Sequence, residues 1–195
     1  LSKEFKNTQD VAMQDLLEPI NDQIAWITGS QVCYCAEAFK GVSRQHPDAA
    51  ALSVLATVLR NGFLHTAIRE KGGAYGAGAT NDTATNTFKF FSYRDPKCTE
   101  TFSAFREAIE WSKTSITDQH LEEAILGVVS SIDKPLSPVG EAKNDFNFNL
   151  ENISTKERLE MRQRVINCSI DDLIKVSKKY LTKPSKKSIL AGKAY

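Results

Sequence analysis

Histidine is scarce in this 195-residue chain, with three in all, and so is any surplus of charge. Lys and Arg number 25 and Asp and Glu 24, a net of +1. That balance removes any general attraction for nucleic acid or an acidic substrate. Three histidines are few for a self-contained His-rich metal site. Long apolar runs are missing as well. The longest stretch free of strongly polar groups is 49–59, well short of the roughly 20 residues a bilayer demands, so no membrane span is expected. Cysteine is sparse: Cys33, Cys35, Cys98 and Cys168, with Cys33 and Cys35 in a C-x-C and not a C-x-x-C spacing. Four reduced thiols with structural roles is the reading preferred here over a zinc cluster. It points to a reducing compartment, the cytoplasm or an organelle matrix. No charged-then-apolar leader opens the sequence. It starts at Leu1 without a Met, so the chain reads as a piece of something longer.

What is present describes a globular domain. The chain is 41% hydrophobic and 25% charged, too apolar for disorder and long enough for one core. We expect a polar lead-in over 1–21 and a single domain over 22–195. Charge is unevenly spread: residues 156–195 hold 11 Lys and Arg against 4 Asp and Glu. Lys175, Lys178, Lys179, Lys183, Lys186 and Lys187 read as a solvated helix face, since no aromatics are interleaved to stack on bases.

Periodicity sketches the elements. Residues 23–39 alternate as one long bent strand or a hairpin. His46-Pro47-Asp48 opens a helix with Leu52, Leu55, Ala56 and Leu59 on one face, and Asn61-Gly62 ends or breaks it. A second short helix, 63–70, turns Leu64, Ala67 and Ile68 inward. Two strands follow, 74–79 and 87–93, with Phe88 and Phe90 facing one way and Phe91 and Tyr93 the other; both pairs are expected to be core. Helices are expected over 99–112, from Thr117, and over 141–153, 155–166 and 169–181, then a short strand at 188–191. The order predicts an α+β fold: a mostly antiparallel sheet with helices packed mainly on one face. Arg94-Asp95 reads as a strand-end ion pair beside Pro96.

The informative stretch is 64–78, Leu-His-Thr-Ala-Ile-Arg-Glu-Lys-Gly-Gly-Ala-Tyr-Gly-Ala-Gly. A helix ends in Arg69-Glu70-Lys71, and Gly72-Gly73 allows positive φ and close backbone approach. Tyr75 follows among small residues. Arg and Tyr across a glycine turn suit a carbonyl oxygen or an oxyanion. The alternative is a plain glycine turn whose Arg pairs with an acid.

This stretch resembles the pitrilysin/insulinase superfamily of zinc metallopeptidases, in its presequence-protease, falcilysin-like branch. His46-Pro47-Asp48 with Leu52 and Leu55, the run Phe91-Ser92-Tyr93-Arg94-Asp95-Pro96, and Leu121-Glu122-Glu123-Ala124 with Asp133-Lys134-Pro135 resemble it too. So does Ser169-Ile170-Asp171-Asp172-Leu173 with Tyr180-Leu181. The resemblance covers 22–192.

It implies four copies of one α+β domain, arranged as two bowl-shaped halves that close on a peptide, with this chain as the fourth. The zinc site, an inverted His-x-x-Glu-His motif, lies in the first domain. Arg69 and Tyr75 are the implied catalytic contacts to the substrate carbonyl, and Gly72, Gly73 and Ala74 the implied substrate-binding turn. The implied partners are the N-terminal domains of the same polypeptide and a peptide, with no nucleic acid and no membrane. No metal is expected in this chain: His120 and Glu123 match the motif's first His and its Glu, but Ala124 stands where the second His belongs. His65 is expected to make a local hydrogen bond or packing contact. The competing readings are a non-catalytic structural or assembly domain of the same fold and an unrelated peptide-binding module.

Overall fold

The computed structural model describes residues 24–192; the expected lead-in over 1–21 lies outside them. Five strands form one sheet: β1 (Ile24–Thr28), β2 (Cys33–Lys40), β3 (Gly76–Asp82), β4 (Thr87–Asp95) and β5 (Lys186–Gly192), in the order β1-β5-β2-β4-β3. Three pairings are antiparallel, and β1 runs parallel to β5. The stretch 23–39 is therefore neither one strand nor a hairpin. Gly29-Ser30 separates two strands, and β5 inserts between them. That insertion joins parts of the chain far apart in sequence, which local alternation cannot register.

The helices pack over one face. α1 (Ala49–Leu59) buries nine of its eleven residues, so it is apolar nearly all round and sits centrally. It does not stop at Asn61-Gly62. A π-helical segment (Arg60–Glu70) carries it onward, with Leu64 and Ile68 buried as expected. Gly62 survives inside it because Trp111 lies against the position a Cβ would take. The combined helix 49–70 is long and apolar enough to cross a membrane by length and composition. Here those apolar residues fill the core.

α2 (Thr99–Trp111), α3 (Asp118–Ile132), α4 (Pro138–Leu150), α5 (Thr155–Ile166) and α6 (Ile170–Tyr180) complete the layer. Capping boxes start three of them, with Thr117 and His120, Ser154 and Glu157, and Ser169 and Asp172. On α6, Leu173, Val176 and Tyr180 are buried and Lys175, Lys178 and Lys179 exposed, a solvated basic face. Along α3, Ala124 is buried, and Leu121, Ile125 and Val128 are half-buried against the core.

The core is aromatic at its centre. Phe90 stacks on Phe105 at 5.3 Å and meets Phe88 and Phe39 edge-on. Register places Cys35, Glu37, Phe39, Phe88, Phe90 and Ser92 on this helix-packed face, all buried. The thiol expectation needs correction. Cys33 and Cys98 form a disulfide between the start of β2 and the cap of α2, leaving Cys35 and Cys168 free. A pair 65 residues apart has no spacing signature, and the argument for a reducing compartment falls with it.

Candidate functional site

The site is built from the end of the π-helical segment, the turn after it, and the facing strand. The helix closes through two wide hydrogen bonds, Lys71 N–H to Thr66 O and Ala74 N–H to Ile68 O, and one of ordinary helical span, Gly73 N–H to Arg69 O, each 3.0–3.1 Å. Gly73 takes φ +84°, a region costly to residues with a Cβ. The amides of Gly73 and Ala74 are thus spent inside the turn, and Ala74 is buried. What the turn presents outward is the backbone of Gly73, which is exposed, and the side chains it aims.

Tyr75 emerges from this turn 63% exposed. Its N–H bonds to Arg94 O on β4. Its ring leans on Tyr93 at 5.7 Å, and the Arg94 guanidinium lies 5.7 Å from the ring centre, within cation–π reach. Its hydroxyl has no partner among the described residues. Tyr93 in turn stacks on Phe91. Gly76 makes this platform possible, because a Cβ there would run into the Tyr93 ring.

A bulge in β4 aims these groups. Between Cys33↔Asp95 and Cys35↔Ser92, two steps on β2 oppose three on β4. Arg94 occupies the extra position at φ +49°. Bulges re-aim side chains and recur beside active sites. Without it, alternation would send Arg94 into the core. With it, Tyr93 and Arg94 are both exposed, and Asp95 is fully buried. The expected Arg94–Asp95 ion pair is therefore corrected. Asp95 accepts from Lys97 N at 2.9 Å and Thr101 Oγ1 at 2.7 Å, tying β4 to the start of α2. Nor are Phe91 and Tyr93 core as expected: Phe91 is half-buried and Tyr93 exposed on the helix-free face.

Arg69 is exposed and pairs with no acid among the described residues. Its Nη1 donates to His65 Nε2 at 3.0 Å. An Arg donor requires that nitrogen to accept, so the ring proton sits on Nδ1, 3.3 Å from Glu70 Oε1. His65 thus makes the local hydrogen bond expected of it and also orients Arg69. No hydrogen bond joins Arg69 to Tyr75 among the described residues. Arg94 and Tyr93 adjoin Tyr75, although the sequence favours a strand-end ion pair for the first and a core position for the second. Their trace in the sequence is the run 91–96, whose place beside Tyr75 depends on the pairing of Gly76 with Tyr93.

The remaining chemistry-bearing residues are occupied locally. His46 Nδ1 accepts from Asp48 N, and His120 Nδ1 from Thr117 N while its ring stands edge-on to Trp111. Among the described residues no group of three or more His, Cys, Asp or Glu is placed to hold a metal. Burial pushes the Cys35 and Cys168 thiols up to about 11 and about 12, so both stay protonated at neutral pH and are poor nucleophiles.

This architecture is that of the pitrilysin-like peptidase domains. A Helicobacter pylori protease matches with TM-score 0.74 at 20% identity, over 87% of this chain and 43% of that one. An inactive peptidase domain from Bordetella parapertussis matches with TM-score 0.68 at 15% identity, over 82% of this chain and 93% of that one. Such low identities speak for the fold alone. Sequence narrows it further: residues 27–190 match the family described as the PreP C-terminal domain. A mitochondrial presequence protease of Eremothecium gossypii is 41% identical over 157 residues, 80% of this chain. The chain belongs to the presequence-protease C-terminal domain family. It spans 16% of that relative's length.

Proposed function

We propose that this chain is the closing domain of a zinc-dependent metalloendopeptidase, and that it contributes peptide contacts from Tyr75 and Arg69 while the zinc is held by another domain. The observation that carries the reading is Tyr75: an exposed phenol whose ring is braced by Tyr93 and Arg94 and whose hydroxyl is unspent. A donor held this way suits the oxygen of a peptide carbonyl, and more so the oxyanion that carbonyl becomes during hydrolysis. Pre-bracing matters because the donor need not reorganise when charge develops. Arg69, oriented by His65, adds a second donor at the same turn, and the exposed backbone of Gly73 adjoins the peptide path beside Gly72 and Ala74.

The three histidines here are separately engaged, so this chain's residues do not fit a zinc centre, and no step is assigned to a metal within it. The partners are the preceding domains of the same polypeptide and a peptide substrate. The relatives' name, mitochondrial presequence protease, carries the further reading that the substrate is a presequence and the compartment the mitochondrion.

The test is Tyr75→Phe in the parent polypeptide. Loss of one oxyanion donor costs on the order of 10²-fold in kcat, with circular dichroism unchanged. Wild-type kinetics in a folded variant would remove the catalytic role and leave the structural or assembly reading in its place.

A further inference from the structure

The helix α4 carries two faces, and only one of them is used. It is well formed by local rules: the Ser137 hydroxyl accepts from Gly140 N, and Pro138 stands in the first turn. Yet none of its residues is buried. Its half-buried positions, Gly140, Asn144 and Phe148, span an arc of about 80° at 100° per residue. That side meets the body. Phe148 lies under the Arg158 guanidinium at 4.3 Å, and Asp145 pairs with Arg158 at 3.5 Å.

The outward side carries three apolar residues and Lys143. Val139, Phe146 and Leu150 are 79%, 62% and 66% exposed. They fall within an arc of about 40°, centred roughly 140° from the packed side. Single exposed apolar residues are ordinary, whereas a stripe at i, i+7 and i+11, with the exposed Lys143 at i+4 in the same row, follows the spacing of a helix seam whose one charged member can lay its stem along the apolar surface.

We infer that this stripe of α4 is the seam for a neighbouring domain of the same polypeptide. The inference rests on reading the chain as one domain of a longer protein. Three observations select that occupant. About five-sixths of the Eremothecium relative lies outside the matched stretch. The same fold fills 93% of one solved chain and 43% of another, so it occurs singly and with room for a second copy in one chain. Third, the seam is small. Three side chains fall far short of the roughly 1,200 Å² that holds separate proteins together. A covalently linked domain faces the stripe at an effective concentration near millimolar, where a small seam suffices.

The experiment is amide exchange over 138–150, in this 195-residue chain and in the parent polypeptide. We expect exchange at least tenfold slower in the parent. Phe146→Asp with Leu150→Asp in the parent restores the fast rate, and the milder Phe146→Ala raises it partly. Neither substitution touches this domain's own core, so exchange of α1 stays slow in both. Equal rates in the two proteins overturn the inference. So does protection in the 195-residue chain that grows with its concentration, which would assign the seam to a second copy. Peptidase activity of the wild-type parent, read in parallel, tests the protease reading separately.

Discussion

The two faces of the one sheet are built from adjacent residues and behave as different materials. On the helix side Phe88 and Phe90 are fully buried and touch each other, and Phe90 also touches Phe39 and Phe105. On the other side Trp26, Tyr34, Phe91 and Tyr93 are exposed or half-buried, with Tyr75 at the margin. The buried face is all phenylalanine among its aromatics. The open face is rich in rings with a polar tip, which keep one end wet while the ring packs. One face stabilises the domain; the other is available to a ligand.

The sharpest test of that contrast is a pair of neighbours. Phe90→Ala should cost about 3–5 kcal/mol through the cavity it leaves, and Phe91→Ala well under half of that, read as denaturant midpoints. Equal losses would erase the distinction between the faces. Gly76→Ala comes next. Its methyl must displace the Tyr93 ring, at about 1–3 kcal/mol, and with that platform disturbed the parent's kcat should fall while KM changes less.

The helix face has its own ionic tie. Asp48, at the start of α1, accepts from Lys179 Nζ at 2.6 Å and Tyr180 Oη at 2.7 Å. Burial pushes its carboxyl up, but those two hydrogen bonds outweigh it and hold the carboxyl below its usual value. A depressed folded value means the unfolded chain protonates first as pH falls. The tie is therefore complete above the ordinary carboxylate value near 4 and lost below it. Asp48→Asn should cost about 1 kcal/mol or less at pH 7, given solvent screening, and should flatten the acid limb of stability against pH. The smallest stability effect belongs to Tyr75→Phe, within about 0.5 kcal/mol. A larger loss would mean that Tyr75 is a structural residue of the open face.

Much of this was legible locally. Leu52, Leu55 and Leu59, the opposition of Phe88 and Phe90 to Phe91 and Tyr93, and the Ser169 cap follow from periods of 3.6 and 2 and from capping chemistry. Tyr75 is legible as a donor set with Arg69 across a glycine turn, and its catalytic role is what the resemblance of 64–78 implies. Arg94 was misread because strict alternation has no place for an inserted residue, and the bulge exists only by reference to β2. The continuation of α1 through Asn61-Gly62 is illegible for a similar reason: the glycine answers to Trp111, 49 residues away in sequence.

By itself, then, the sequence determined most of the elements, the buried stripes and the turn that carries Arg69 and Tyr75, but neither the split of 23–39 into two strands nor the continuation of α1. These depend on neighbours within a few residues along the chain. Only the tertiary structure decided that β5 inserts between β1 and β2, that Cys33 meets Cys98, that a bulge turns Arg94 onto Tyr75, and that Arg69 answers to His65 and not to an acid. Each of those depends on which distant surfaces are brought together and which polar groups they leave in need of a partner.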